Sequence, residues 1–388
     1  MPYNFDQIIE RRHSDSIKWN NYDQDVLPMW VADMDFRSPE PVLKALHERI
    51  DHGVFGYGWP QEEDKQLICD RLARLYDWSV QPEQVIFLSG VVSGFNIACR
   101  AVGEPGSGVL LQPPVYHPML TAPGYHGQTT DFAPLRLSEK DNQLYYEIDF
   151  TTFAAAITPK TRLFLLCSPH NPVGRRFSRA ELTQMAEICA QHDLVICSDE
   201  IHCDLMMADH KHIPTASLSP EIADRCITLM APSKTFNIPG LGFSVAIVQN
   251  RALRAKFQAT MAGIVPHVKL LGAVAGLTAY REGDEWLAAL LKYLTANRDY
   301  LFDYVKENLP GIKTTVPEAT YLAWLDCREA GIDGDPQAFF LEKGRVGLNN
   351  GAQFGQGGEG FVRLNYGCPR SLLTEGLERM RHALQTGR

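Results

Sequence analysis

The chain has 388 residues, is 45% hydrophobic and 21% charged, and carries a formal net charge of -9. That length allows a large core and two domains. The acidic balance, without any Lys/Arg-rich block, argues against a broad nucleic-acid surface. Residues 1–12 are polar and lack the apolar core of a secretory signal, and no apolar run approaches a membrane span. Nine scattered cysteines, an odd number with no C-x-x-C pair, predict reduced thiols in a cytoplasmic protein rather than a disulfide framework.

In chain order, residues 1–27 read as an irregular polar arm with a short helix near Phe5 to Arg11. Pro28 to Phe36 is an extended apolar stretch with two acids, Asp33 and Asp35. Ser38 and Pro39 are helix start signals, and a helix to His52 stops at Gly53. Residues 53–60 form a glycine-aromatic loop whose plain reading is packing, and Glu62 to Tyr76 reads as a helix. Val85 to Leu88 is a short buried strand, followed by a small-residue turn and a helix to Val102. Free amides and the helix dipole make such a turn an anion site, here through the amides of Val91 and Val92. A tight turn that needs glycine explains the same residues and is compatible with that role.

From Thr161 to Val248 short strands alternate with helices, which implies right-handed βαβ units and a mostly parallel sheet. The strand Leu163–Cys167 runs into a turn carrying Asn171, the helix Arg179–His192 follows, and the strand from Leu194 ends at Asp199. The apolar run from Ile227 leads to Ala-Pro-Ser-Lys-Thr-Phe-Asn, with Lys234 on a turn before the apolar stretch Gly240–Val248. Three strands therefore each deliver one polar residue at the edge where open α/β sheets bind ligands. A surface-turn lysine is the plain reading of Lys234. A buried lysine instead has a lowered pKa and becomes a nucleophile. Ala252 to Tyr280 reads as helical, Glu285 to Asn308 as a long helix, and Pro317 to Asp326 as a strand. The glycine-rich stretch 344–365 ends in a strand with Arg363 in its middle, which needs either an internal acid or a ligand carboxylate.

Asn171, Asp199 and Lys234 suit one cofactor, pyridoxal 5'-phosphate: a lysine forms its Schiff base and a carboxylate pairs with its ring nitrogen. With these residues the chain resembles the fold-type I enzymes of that cofactor and, more narrowly, the MalY/PatB group of cystathionine β-lyases. The resemblance rests on Ala32–Phe36, Gly53–Tyr57, Ser168–Gly174, Ser198–His202, Ser233–Pro239 and Gly358–Arg370. It implies an α/β fold: a large cofactor-binding domain with a mostly parallel seven-stranded sheet (41–284), a smaller α/β C-terminal domain (285–388), and an N-terminal arm (1–40) joining the small domain. It further implies that Asp33 lies beside the substrate, that Tyr116 stacks on the cofactor ring, that Arg363 takes the substrate carboxylate, and that Ser233 serves the phosphate. Tyr57 would reach the phosphate of the other subunit in a homodimer. His202 would support the site near Asp199, a plain core histidine being the alternative. Ala231 and Gly242 stand where aminotransferases commonly carry a serine and an arginine for the phosphate, a departure that fits the lyases.

The implied reaction is β-elimination from cystathionine and related amino-acid thioethers, to a thiol, pyruvate and ammonia. An aminotransferase is the first alternative, and a regulatory protein that binds a transcription factor is an alternative of another class. Gly355 to Gly360 fits G-x-G-x-x-G but leads into a strand, so no dinucleotide site is expected. His210 and His212 lack further ligands, so no metal is expected.

Overall fold

The computed structural model describes residues 3–58, 60–140 and 143–386. A seven-stranded sheet organises the larger part: β1 (Val85–Leu88), β2 (Gly108–Leu111), β3 (Thr129–Phe132), β4 (Thr161–Cys167), β5 (Val195–Asp199), β6 (Cys226–Met230) and β7 (Ser244–Ile247). Their order is β1-β7-β6-β5-β4-β2-β3. Pairs β4–β5, β5–β6, β2–β4 and β2–β3 are parallel, whereas β7 runs antiparallel to both β1 and β6. The central strands β5 and β6 are apolar runs buried on both faces, as parallel strands covered by helices require. The second sheet is four-stranded and antiparallel: β8 (Lys313–Thr314), β9 (Leu322–Asp326), β10 (Asn349–Asn350) and β11 (Phe361–Asn365), in the order β8-β9-β11-β10.

Helices α1 (Glu40–Asp51) and α2 (Glu62–Tyr76) precede β1, and α3 (Val91–Val102) follows it directly. α4 (Arg179–Gln191) connects β4 to β5. α5 (Arg251–Met261) and α6 (Leu270–Glu282) follow β7, and α7 (Asp284–Asn308) leads to the second sheet. α8 (Arg370–Thr386) closes the described chain.

Four expectations need correction. No helix forms at 5–11; the short helix is Ile17–Asn20. Phe5 is instead buried against the rings of Phe36 and Trp286 at 5.2 and 5.7 Å, a tertiary contact that overrides local helix tendency. Only Leu27–Pro28 of the next stretch pairs as a strand, parallel to Val346–Gly347. Residues 252–280 break into α5 and α6, with Gly263 at φ +74 and Pro266 between them. The strand expected from Pro317 begins only at Leu322.

Candidate active site

The carboxyl ends of β1, β4, β5 and β6 open on a cavity of about 260 Å³. It is lined by Val91, Val92, Tyr116, Asn171, Asp199, His202, Ser233, Lys234 and Arg363, all expected from sequence. The cavity also reaches Trp30, Val31 and Ala32 of the stretch 28–36, and His117, Cys167 and Asn349, which sequence reasoning did not assign.

Lys234 sits in a single helical turn, Pro232–Thr235, between β6 and β7. Its Nζ donates to the Ala32 carbonyl at 2.6 Å. Burial pulls its ammonium down to about 8 against the charge of Asp33, with Arg363 adding to the fall. Asp199 ends β5, is buried, and accepts a bond from the Ile201 amide at 3.1 Å. Burial pushes its carboxyl up to about 7, with the neighbouring Glu200 adding to the rise. No cation is ion-paired to it among the described residues. His202 is buried with its Nδ1 unpartnered, and its ring meets the edge of Tyr321 at 6.2 Å. Burial, with Lys234 and Arg363 near, lowers its pKa to about 3, so the ring is neutral.

Arg363 lies at the centre of β11 and is buried. Its Nη1 donates to Asn171 Oδ1 at 3.0 Å, and its Nη2 to the Trp30 carbonyl at 3.0 Å and Asn349 Oδ1 at 2.5 Å. Its Nε has no partner, and the guanidinium lies 4.9 Å from the Phe354 ring centre. Every acceptor is neutral, so the internal ion pair that sequence left open does not form among the described residues. Burial lowers the guanidinium to about 10. Asn349 is register-paired with Arg363 across β10 and β11, a relation invisible in a sequence whose pairing is unknown.

At the opposite wall, α3 points its amino end at the cavity with Gly90, Val91, Val92 and Ser93. Its first-turn amides have no helical acceptor and favour an anion. Tyr116 forms one side, with His117 against it at a ring distance of 5.2 Å.

Two of the expected site residues do not line this chain's cavity. Asp33 does not line the cavity; its carboxylate is bound by Arg11 at 2.8 Å, and the segment reaches the cavity with residues 30–32 instead. Tyr57 is fully exposed and away from this chain's cavity, in a loop whose Trp59 lies outside the described residues. The two loop histidines part company: His212 bonds buried Glu200 at 2.7 Å, while His210 accepts from Arg176 at 3.2 Å.

The family described as aminotransferase class I and II matches residues 24–380. Cystathionine beta-lyase PatB of Bacillus subtilis (strain 168) is 42% identical over 389 residues, covering 98% of this chain and 100% of that protein. The crystal structure of OvoB superposes with a TM-score of 0.94 at 45% identity, covering 100% of both chains. The PLP-bound C-S lyase from Staphylococcus hominis superposes with a TM-score of 0.92 at 34% identity over 99% of each chain.

Proposed function

The chain belongs to the class I and II aminotransferase family, and on that premise we propose that it is a pyridoxal-phosphate-dependent carbon–sulfur β-lyase acting on L-cystathionine and related cysteine S-conjugates. One observation carries the reading. A single cavity holds Lys234 with a buried carboxylate that has no bound cation and a buried guanidinium that has no bound carboxylate among the described residues.

These residues fit the cofactor and an amino acid. Asp199 suits a ring N–H, and a cation there would restore its charged form. The amides opening α3 and the Ser233 hydroxyl suit a phosphate. Among the described residues Lys234 is the one amine lining the cavity, so it is the group to take the carbonyl. Pyridoxal phosphate, when bound, supplies the electron sink that accepts the pair left by the Cα proton.

The chain's own groups do the rest. Arg363 offers a fork to the α-carboxylate, with Asn171 and Asn349 holding its plane. An amine near pKa 8 is poised to take the Cα proton at neutral pH. Asp199 keeps the ring-nitrogen proton in place. The thiolate leaves from Cβ, and water converts the three-carbon remainder to pyruvate and ammonia. Tyr57, exposed beside Val54 and Phe55, fits a homodimer in which it serves the partner's phosphate. The nine free, buried cysteines fit a cytoplasmic enzyme.

The test is pyruvate release from L-cystathionine by purified protein with pyridoxal phosphate added. Pyruvate, ammonia and homocysteine in equal amounts, absent with Lys234→Ala, is the expected result. Amino transfer to an added 2-oxo acid without pyruvate would overturn the lyase reading and leave the fold and site standing.

A further inference from the structure

The segment 30–36 is held almost entirely by groups distant in sequence. Trp30's carbonyl accepts from Arg363, and the carbonyls of Val31 and Asp33 accept from Asn365 Nδ2 at 2.7 and 2.6 Å. Ala32's carbonyl accepts from both Lys234 Nζ and Tyr321 OH, at 2.6 and 2.9 Å. The Asn237 side chain, three residues after Lys234, binds the Met34 amide and the carbonyls of Met34 and Phe36 at 2.8–2.9 Å. One strip of backbone thus touches the lysine turn on one side and the carboxylate-seeking arginine on the other.

The strip's own side chains are gripped from the arm. Asp33 and Asp35 face Arg11 and Lys18 in a cluster of two acids and two bases. Arg11 binds Asp33 at 2.8 Å and Asp35 at 2.6 Å, and Lys18 binds Asp35 at 2.6 Å. Trp19 Nε1 adds a bond to Asp35 at 2.8 Å. Lys18 and Asp35 are 1% and 3% exposed, so this grip is shielded from solvent and holds one geometry. Fixed carbonyls matter here, because a displacement of about 1 Å at a reacting group lowers rates steeply.

We propose that Arg11 and Lys18 are positioning residues for the reaction: by clamping Asp33 and Asp35 they fix the Trp30–Ala32 carbonyls that aim Arg363 and Lys234. The clamp ties the two ends of the site together. A carboxylate arriving at Arg363 competes with the Trp30 carbonyl for the guanidinium, and the rigid strip carries that change to the carbonyl that holds Lys234. The proposal rests on the lyase reading for its activity arm only.

The test uses the full-length holoenzyme with Arg11→Met, Arg11→Lys and the charge-balanced pair Lys18→Met/Asp35→Asn, which leaves no lone buried acid if a single change at Lys18 fails to fold. Hydrogen exchange of the 29–36 amides and steady-state kinetics per folded, cofactor-loaded chain are read together. Arg11→Met should speed exchange of that strip, lower kcat roughly tenfold and raise KM for the amino acid, and Arg11→Lys should restore most of both. Unchanged kcat and KM in Arg11→Met, or unchanged exchange of the strip, would overturn the proposal. A wild type inactive on every thioether would sink the lyase reading; the exchange arm then decides the clamp alone.

Discussion

Arg363 is the residue whose surroundings say most about the ligand. A guanidinium that is 4% exposed and bonded only to neutral oxygens has lost water without gaining a counter-charge. The α-carboxylate of an amino acid would supply that charge, and a planar fork takes it through two bonds. Arg363→Ala should therefore raise KM for amino-acid substrates by roughly 100-fold, in keeping with the 2–5 kcal/mol attached to buried charged pairs, with a smaller effect on kcat. Steady-state kinetics decide it, and an unchanged KM would return Arg363 to a structural role. Lys234 and Asp199 complete the argument from opposite directions. Burial moves both toward their neutral forms, yet each keeps a charged neighbour within electrostatic reach. That balance leaves the amine near 8, in the range useful to a general base.

At the scale of elements, the segment 239–242 that follows the lysine turn is fixed by how closely α6 approaches it. Gly272 faces residues 239–242; a Cβ there would lie 2.3 Å from the Leu241 carbonyl oxygen and 3.0 Å from that of Gly242. Both are backbone atoms with no rotamer to yield. Gly272→Ala should therefore push α6 off the turn and destabilise the chain by about 1–3 kcal/mol, seen as a lower melting temperature. Gly240→Ala, where nothing lies within 4 Å, is the control and should stay within about 0.5 kcal/mol. The elements that bear the site were the legible ones. Apolar runs leading to a polar residue marked β4, β5 and β6, and α2 and α7 form where helices were read. The arm was not legible, because its conformation comes from partners up to 354 residues away. From Val31 to Phe36 its carbonyls are bound by Lys234, Tyr321, Asn365 and Asn237 rather than by a strand ladder, and no local pattern encodes that. Arg11's claim on Asp33 was hidden for the same reason, although the acid itself was visible.

At the scale of the whole molecule, the buried ionisable groups set how the fold responds to acid. His170 and His202 are both buried, and burial holds each at about 3. Below pH 6.5 the unfolded chain binds two protons at these histidines that the folded chain refuses. Each therefore removes about 1.4 kcal/mol of stability per pH unit as pH falls. Asp199 has the opposite sign. Its folded carboxyl, raised to about 7, is protonated where the unfolded one is not, so the cofactor-free fold gains about the same amount per unit on acidification below 7. From these three groups the net loss is about that of one histidine, about 1.5 kcal/mol between pH 6.5 and pH 5. Asp199→Asn deletes the compensating group. In the cofactor-free chain it should roughly double that loss, to about 3 kcal/mol over the same window. Denaturant unfolding at pH 6.5 and pH 5 measures both values. An equal loss in the two chains would show that Asp199 is already ionised when the cofactor is absent and that burial does not raise its carboxyl.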